Sequence, residues 1–131
     1  MKRRELLAGA GAALVMMSAR LPANAMGEQA MYGLIGKMKA VSGQRDALIA
    51  LMLEDVGAMP GCLSYIVARD PGDADGIWIT EVWDSAASHQ ASLLLPAVRQ
   101  VIARAKPLIA GFGEHFETEP VGGHGLARAP A

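Results

Sequence analysis

"CLSYIVARDPGDADGIWITEVW", residues 62–83, decides the fold. Residues 62–70 and 77–83 are rich in β-branched and aromatic side chains, and between them "PGDADG" (71–76) concentrates Pro, Gly and Asp where a chain must reverse. The segment predicts a β-hairpin. Upstream, residues 31–41 alternate through Tyr32, Leu34, Gly36 and Met38 as a strand. Ser42 then offers an N-cap to a helix whose apolar residues Leu48, Met52, Val56 and Met59 keep a four-residue rhythm until "MPG" (59–61) ends it. Downstream, Asp84 or Ser85 can cap a helix through Leu95, and Pro96 suits the first turn of another reaching Lys106. "GFGEHFETE" (111–119) alternates through Phe112, Glu114 and Phe116 as a last strand. The order strand, helix, strand, strand, helix, strand predicts an α+β protein, a ferredoxin-like βαββαβ sandwich with helices on one face of an antiparallel sheet.

In the hairpin both faces are apolar: Leu63, Tyr65 and Val67 against Cys62, Ile66 and Ala68, then Ile77, Ile79 and Trp83 against Trp78 and Val82. Helices cover one face, and a sheet with one wet face alternates with polar residues. A second copy of the same sheet is the simplest cover, so a homodimer is expected.

The front of the chain reads differently. "MKRRELLAGAGAALVMMSARLPANAM" has a basic start at Lys2, Arg3 and Arg4, an uncharged run from Leu6 to Ser18, and a small-x-small "ANA" ending at Ala25. This is the pattern of a cleaved export signal over 1–25, and the paired arginines resemble a twin-arginine leader. Export to the periplasm or outside the cell follows, with residues 26–119 as the one domain and 120–131, rich in Gly, Pro and Ala, as a loose tail. Without the leader the chain carries eight bases against twelve acids, a formal charge of −4. No basic block remains to attract phosphate backbones, so nucleic acid is not expected as a partner. The single Cys62 excludes an internal disulfide. His89, His115 and Glu81 have no close-spaced ligand pair, so no metal site is expected, and "GGHG" precedes no helix that would hold phosphate.

"MPGCLSYIVARD", "ITEVWDSAASHQASLLLPAV" and "KPLIAGFGEHFE" together resemble the antibiotic biosynthesis monooxygenase family, small dimeric α/β-barrel proteins that include quinol monooxygenases. The resemblance covers residues 31–118. It implies an apolar pocket between sheet and helices, a face-to-face dimer, and site residues at Glu81, Trp83 and His89. The second histidine of many quinol-oxidising members falls here within "SLLLPA", and the first strand lacks the Asn of haem-degrading members, which counts against haem breakdown.

Cofactor-free oxidation by dioxygen draws its electrons from the substrate, and a hydroquinone supplies them best as its anion. Such chemistry needs a base, a dry pocket for a flat ring and a donor for the oxyanion. His89 is the natural base because imidazole titrates near neutrality, and Glu81 is placed either to orient it or to accept a proton itself. Trp83, Trp78, Phe112 and Phe116 are candidate ring walls and Tyr65 a polar handle. The sequence thus predicts a hydroquinone or polyphenol monooxygenase needing no cofactor. The alternative is a non-catalytic dimeric module that binds a small apolar ligand, with Glu81 paired to Arg69 or backbone amides and His89 as a packed helix residue.

Overall fold

The computed structural model describes residues 30–54 and 59–127. The expected leader, 1–25, lies outside the described residues. Four strands and three α-helices follow in the order β1 (Tyr32–Ala40), α1 (Arg45–Met52), β2 (Cys62–Arg69), β3 (Gly76–Trp83), α2 (Ala86–Ser92), α3 (Pro96–Ala105), a 3₁₀ turn (Lys106–Leu108) and β4 (Ile109–Thr118). The sheet order is β2-β3-β1-β4, antiparallel throughout. This is the ferredoxin-like arrangement expected from the hairpin. None of the described helices is long and apolar enough to cross a membrane.

Element boundaries move where a local rule overrides periodicity. α1 begins at Arg45 rather than just after Ser42, because Gly43 sits at φ 80° and breaks the helical path. It ends at Met52 and passes into a turn at Leu53 and Glu54; of the stretch to Met59 also expected as helix, residues 55–58 lie outside the described residues. The helix expected through Leu95 stops at Ser92, since Pro96 holds Leu95 extended at φ −68°, ψ 134°. Of the two candidate caps for α2, Ser85 is the one used: its Oγ accepts the Ser88 amide at 3.1 Å.

The core lies between sheet and helices. Ala40, Leu48, Leu51, Ile77, Ile79 and Ala105 form one buried cluster, and Tyr32, Leu34 and Trp83 a second. Leu48 and Ile77 are fully enclosed, and each contributes about 1.5–3 kcal/mol by leaving water. Cross-strand register assigns the faces. Even-numbered positions of β1 and odd-numbered positions of β3 look toward the helices, so Ile77, Ile79, Glu81 and Trp83 share that side with Tyr65 and Val67. Ile35, Ile66, Trp78, Thr80 and Val82 share the opposite, open face.

Among the described residues the sheet has three register shifts, one of them where Ala40 pairs with Ile109 at the end of β1, and the other two alter the alternation expected of side chains near the site. A register shift between Cys62 and Ser64 puts Cys62 opposite Trp83, on the helix side, where it packs against the second cluster. In β4 a bulge opposite Lys37 separates the Met38–Phe112 pair from the Gly36–His115 pair. Phe112 therefore turns toward the helices, whereas Phe116, paired with Ile35, lies on the open face. After Thr118 the chain has no regular structure to residue 127, and the Ala127 amide donates to the Leu63 carbonyl at 2.8 Å.

Candidate active site

Glu81 and Trp83 stand two residues apart on β3 and so project from the same side of the sheet. α2 folds back over that side and brings His89, its central residue, down onto them. The imidazole ring lies 5.4 Å from the Trp83 ring in an edge-on contact and 5.4 Å from the Tyr32 ring. His89 is 3% exposed. Its helix is tied locally by Ser92, whose hydroxyl donates to the His89 carbonyl at 2.7 Å.

Trp83 Nε1–H donates to Glu81 Oε1 at 2.8 Å, and among the described residues it is the one hydrogen-bond donor to this carboxylate. His89 Nε2 lies 4.0 Å from the same oxygen, too far for a direct hydrogen bond. His89 Nδ1 is buried with no hydrogen-bond partner among the described residues. Burial raises the Glu81 pKa to about 6, against the lowering effect of the Trp83 hydrogen bond, and burial lowers His89 to about 4. An ion pair would require Glu81 ionised and His89 protonated together, and these two values leave no pH at which both forms dominate. At pH 7 the pair is carboxylate and neutral imidazole. Of the two, Glu81 is the better proton acceptor, and His89 offers one N–H and one lone pair.

A cavity of 240 Å³ opens beside the pair. Glu81, His89, Trp83 and Tyr65 line it together with Ser92, while Met38, Met52, Met59, Ile79, Val98 and Val101 make it overwhelmingly apolar. Tyr65 stands directly across from Glu81 on β2, and burial, then the Glu81 charge, holds its hydroxyl well above the usual phenol range. Phe112 and Ile102 also line the cavity and are each 39% exposed, which places them at its rim. Glu54 lines it too, gripped from α3 by Arg104 through contacts of 2.9 and 3.0 Å. A hydroxyl oxygen about 2.8 Å from both Glu81 Oε1 and His89 Nε2 fits across the 4.0 Å gap between them.

Five of the seven residues singled out from sequence meet here: Glu81, His89, Trp83, Tyr65 and Phe112. Trp78 and Phe116 do not. Trp78 is on the open face, donating its indole N–H to Asp70 Oδ2 at 3.0 Å with the Lys37 ammonium 5.8 Å from its ring centre. Phe116 was displaced by the β4 bulge and is 53% exposed. Arg69, the alternative partner for Glu81, instead binds Asp46 at 3.0 Å. Sequence reasoning missed the wall from α3, although Ala97, Val98, Val101, Ile102 and Ala105 recur at helical spacing and mark one face. The three wall methionines, Met38, Met52 and Met59, were read from sequence only as strand and helix positions. Among the described residues no group of three His, Cys, Asp or Glu is close enough to hold a metal ion.

The sequence profile of the antibiotic biosynthesis monooxygenases matches residues 31–104, a span that contains the hairpin, Glu81, Trp83 and His89. The chain belongs to that family. A crystal structure of a Chloroflexus aurantiacus protein assigned to the antibiotic biosynthesis monooxygenases is 66% identical, covering 74% of this chain and 99% of its own, with a TM-score of 0.72. One from Deinococcus radiodurans, assigned likewise, is 26% identical over 70% of this chain and 94% of its own, with a TM-score of 0.59. A Caulobacter crescentus structure at 20% identity covers 70% of this chain and 89% of its own, with a TM-score of 0.60, and shares the fold. No curated protein matches the chain. As a member of the antibiotic biosynthesis monooxygenase family the chain carries the family's α+β fold, and its carboxylate, indole and imidazole converge on the apolar cavity between sheet and helices.

Proposed function

We propose that this protein is a cofactor-independent monooxygenase that oxidises a hydroquinone or similar aromatic polyphenol with dioxygen. The observation that carries the reading is the cavity's polarity: one wall concentrates Glu81, His89 and Tyr65, and nearly all the rest is apolar. A flat ring enters the apolar part and sets one hydroxyl across the gap between Glu81 and His89. Glu81 takes the phenolic proton, while His89 and Tyr65 hydrogen-bond the oxygen as charge develops on it. The resulting anion gives electrons to dioxygen. One oxygen atom joins a ring carbon and the other leaves as water, so hydroquinone and dioxygen yield hydroxyquinone and water.

The test is oxygen consumption with a panel of benzo- and naphthohydroquinones, with isotopically labelled dioxygen. Label on the product ring, at a rate saturable in protein, is the expected result. Tight binding of the same compounds without oxygen uptake would replace this reading with that of a binding module.

A homodimer across the open sheet face belongs to the same proposal. Ile66 and Phe116 are 56% and 53% exposed there, beside Ile35 and Val82. Apolar side chains in that number on one flat face favour burial against another apolar surface. Ile66→Lys combined with Phe116→Lys is expected to convert a dimer into a monomer or an aggregate, read by sedimentation. A soluble monomer of the unsubstituted domain would exclude this interface.

A further inference from the structure

We propose that Trp83 is a positioning residue: its indole N–H fixes one oxygen of Glu81 and its ring edge holds His89, so one side chain sets both members of the proton-handling pair. The inference rests on the proposed oxidation, but it concerns a residue that sequence reading assigned only to packing against substrate. Trp83 is 1% exposed and belongs to a buried cluster with Tyr32 and Leu34, against which Met59, Cys62 and Ala86 pack. From that seat Nε1 reaches Glu81 Oε1 at 2.8 Å, and the ring meets the His89 ring edge-on at 5.4 Å. No other described residue donates to Glu81. Without the indole N–H, the carboxylate would keep no hydrogen bond to any described residue, and its terminal torsion would lose that restraint. A base must stand within hydrogen-bond reach of the proton it takes, so this loss of position falls on the chemical step. The same hydrogen bond stabilises the ionised carboxylate, so removing it disfavours the form that accepts a proton.

Trp83→Phe keeps an aromatic ring and removes the donor. On a hydroquinone that the wild type oxidises, kcat is expected to fall about tenfold or more with KM little changed, and the acidic limb of the kcat/KM profile to move to higher pH by about one unit. The smaller ring also loosens packing, so a second variant isolates the N–H. In a Trp78→Phe background Trp83 is the sole tryptophan, and it can be replaced biosynthetically by β-(3-benzothienyl)alanine, which has the same shape with sulfur in place of N–H. Carbon-detected NMR titration of the Glu81 carboxyl, which needs no turnover, is expected to show the same upward displacement in this protein. An unmoved Glu81 titration and an unchanged pH profile would overturn the positioning role. If wild-type protein oxidises no hydroquinone but the NMR displacement appears, the oxidation reading fails while the hold of Trp83 on Glu81 stands.

Discussion

Glu81→Gln is expected to lower hydroquinone oxidation by about 100-fold or more while making the protein more stable at pH 8 by about 2 kcal/mol. Gln occupies the same space and its carbonyl can still accept the Trp83 N–H, but it cannot take a phenolic proton. The stability gain follows from burial, which raises the Glu81 pKa from 4.5 to about 6. With respect to this group the fold is most stable below pH 4.5, where the carboxyl is neutral in both folded and unfolded chains. That contribution is lost as pH rises through 4.5 to 6 and stays lost above. Gln is neutral at every pH and keeps it, at about 1.4 kcal/mol per unit of the shift. Denaturation at pH 8 should therefore show the variant ahead, and at pH 4 the two proteins should converge. A variant that is no more stable at pH 8 would mean that the carboxylate is better solvated than its setting indicates. A fully active one would move the base elsewhere.

His89→Ala is the second large effect, and it runs the other way in stability. The imidazole fills space between Tyr32 and Trp83, and its removal leaves a void expected to cost about 2–3 kcal/mol at pH 8. Oxidation is expected to fall about 100-fold or more, because the phenolic oxygen loses one of its two principal partners. The pH dependence separates the two causes. Burial lowers the His89 pKa from 6.5 to about 4, so the stability it contributes as a neutral ring is full above pH 6.5 and is lost as pH falls through 6.5 to 4. That loss amounts to about 3 kcal/mol in the wild type and is absent from the variant. The gap seen at pH 8 should accordingly shrink toward pH 4 in chemical denaturation. A constant gap across this range would show that the ring is not held neutral by its surroundings.

The fold was legible because the hairpin carries both of its signals locally: strand-forming side chains on either side and a turn whose composition permits little else. Glu81 and Trp83 were legible as neighbours because residues two apart on a strand share a face, and His89 because a helix leaving that strand must return across it. The roles of these three were not. Which group accepts the proton depends on how burial moves two pKa values in opposite directions, and burial is a property of the assembled fold. The indole hydrogen bond is likewise a matter of rotamer, which no spacing encodes. Trp78 was misplaced for another reason: alternation had already set it on the face opposite Trp83, and counting it as a ring wall set that parity aside.

The extra residue in β4 has a consequence for how this chain can vary. Phe112 and Phe116 lie four apart, and unbroken alternation would turn both to one side; the bulge opposite Lys37 instead gives one to the cavity rim and the other to the open face. Every side chain beyond the bulge inherits this offset, including Glu117, whose carboxylate accepts the Tyr32 hydroxyl at 2.7 Å. Between Gly113 and Glu114 the number of residues therefore matters as much as their identity. Losing or gaining one there would exchange inside for outside along the rest of the strand, a change that no compensating substitution at a single site can reverse.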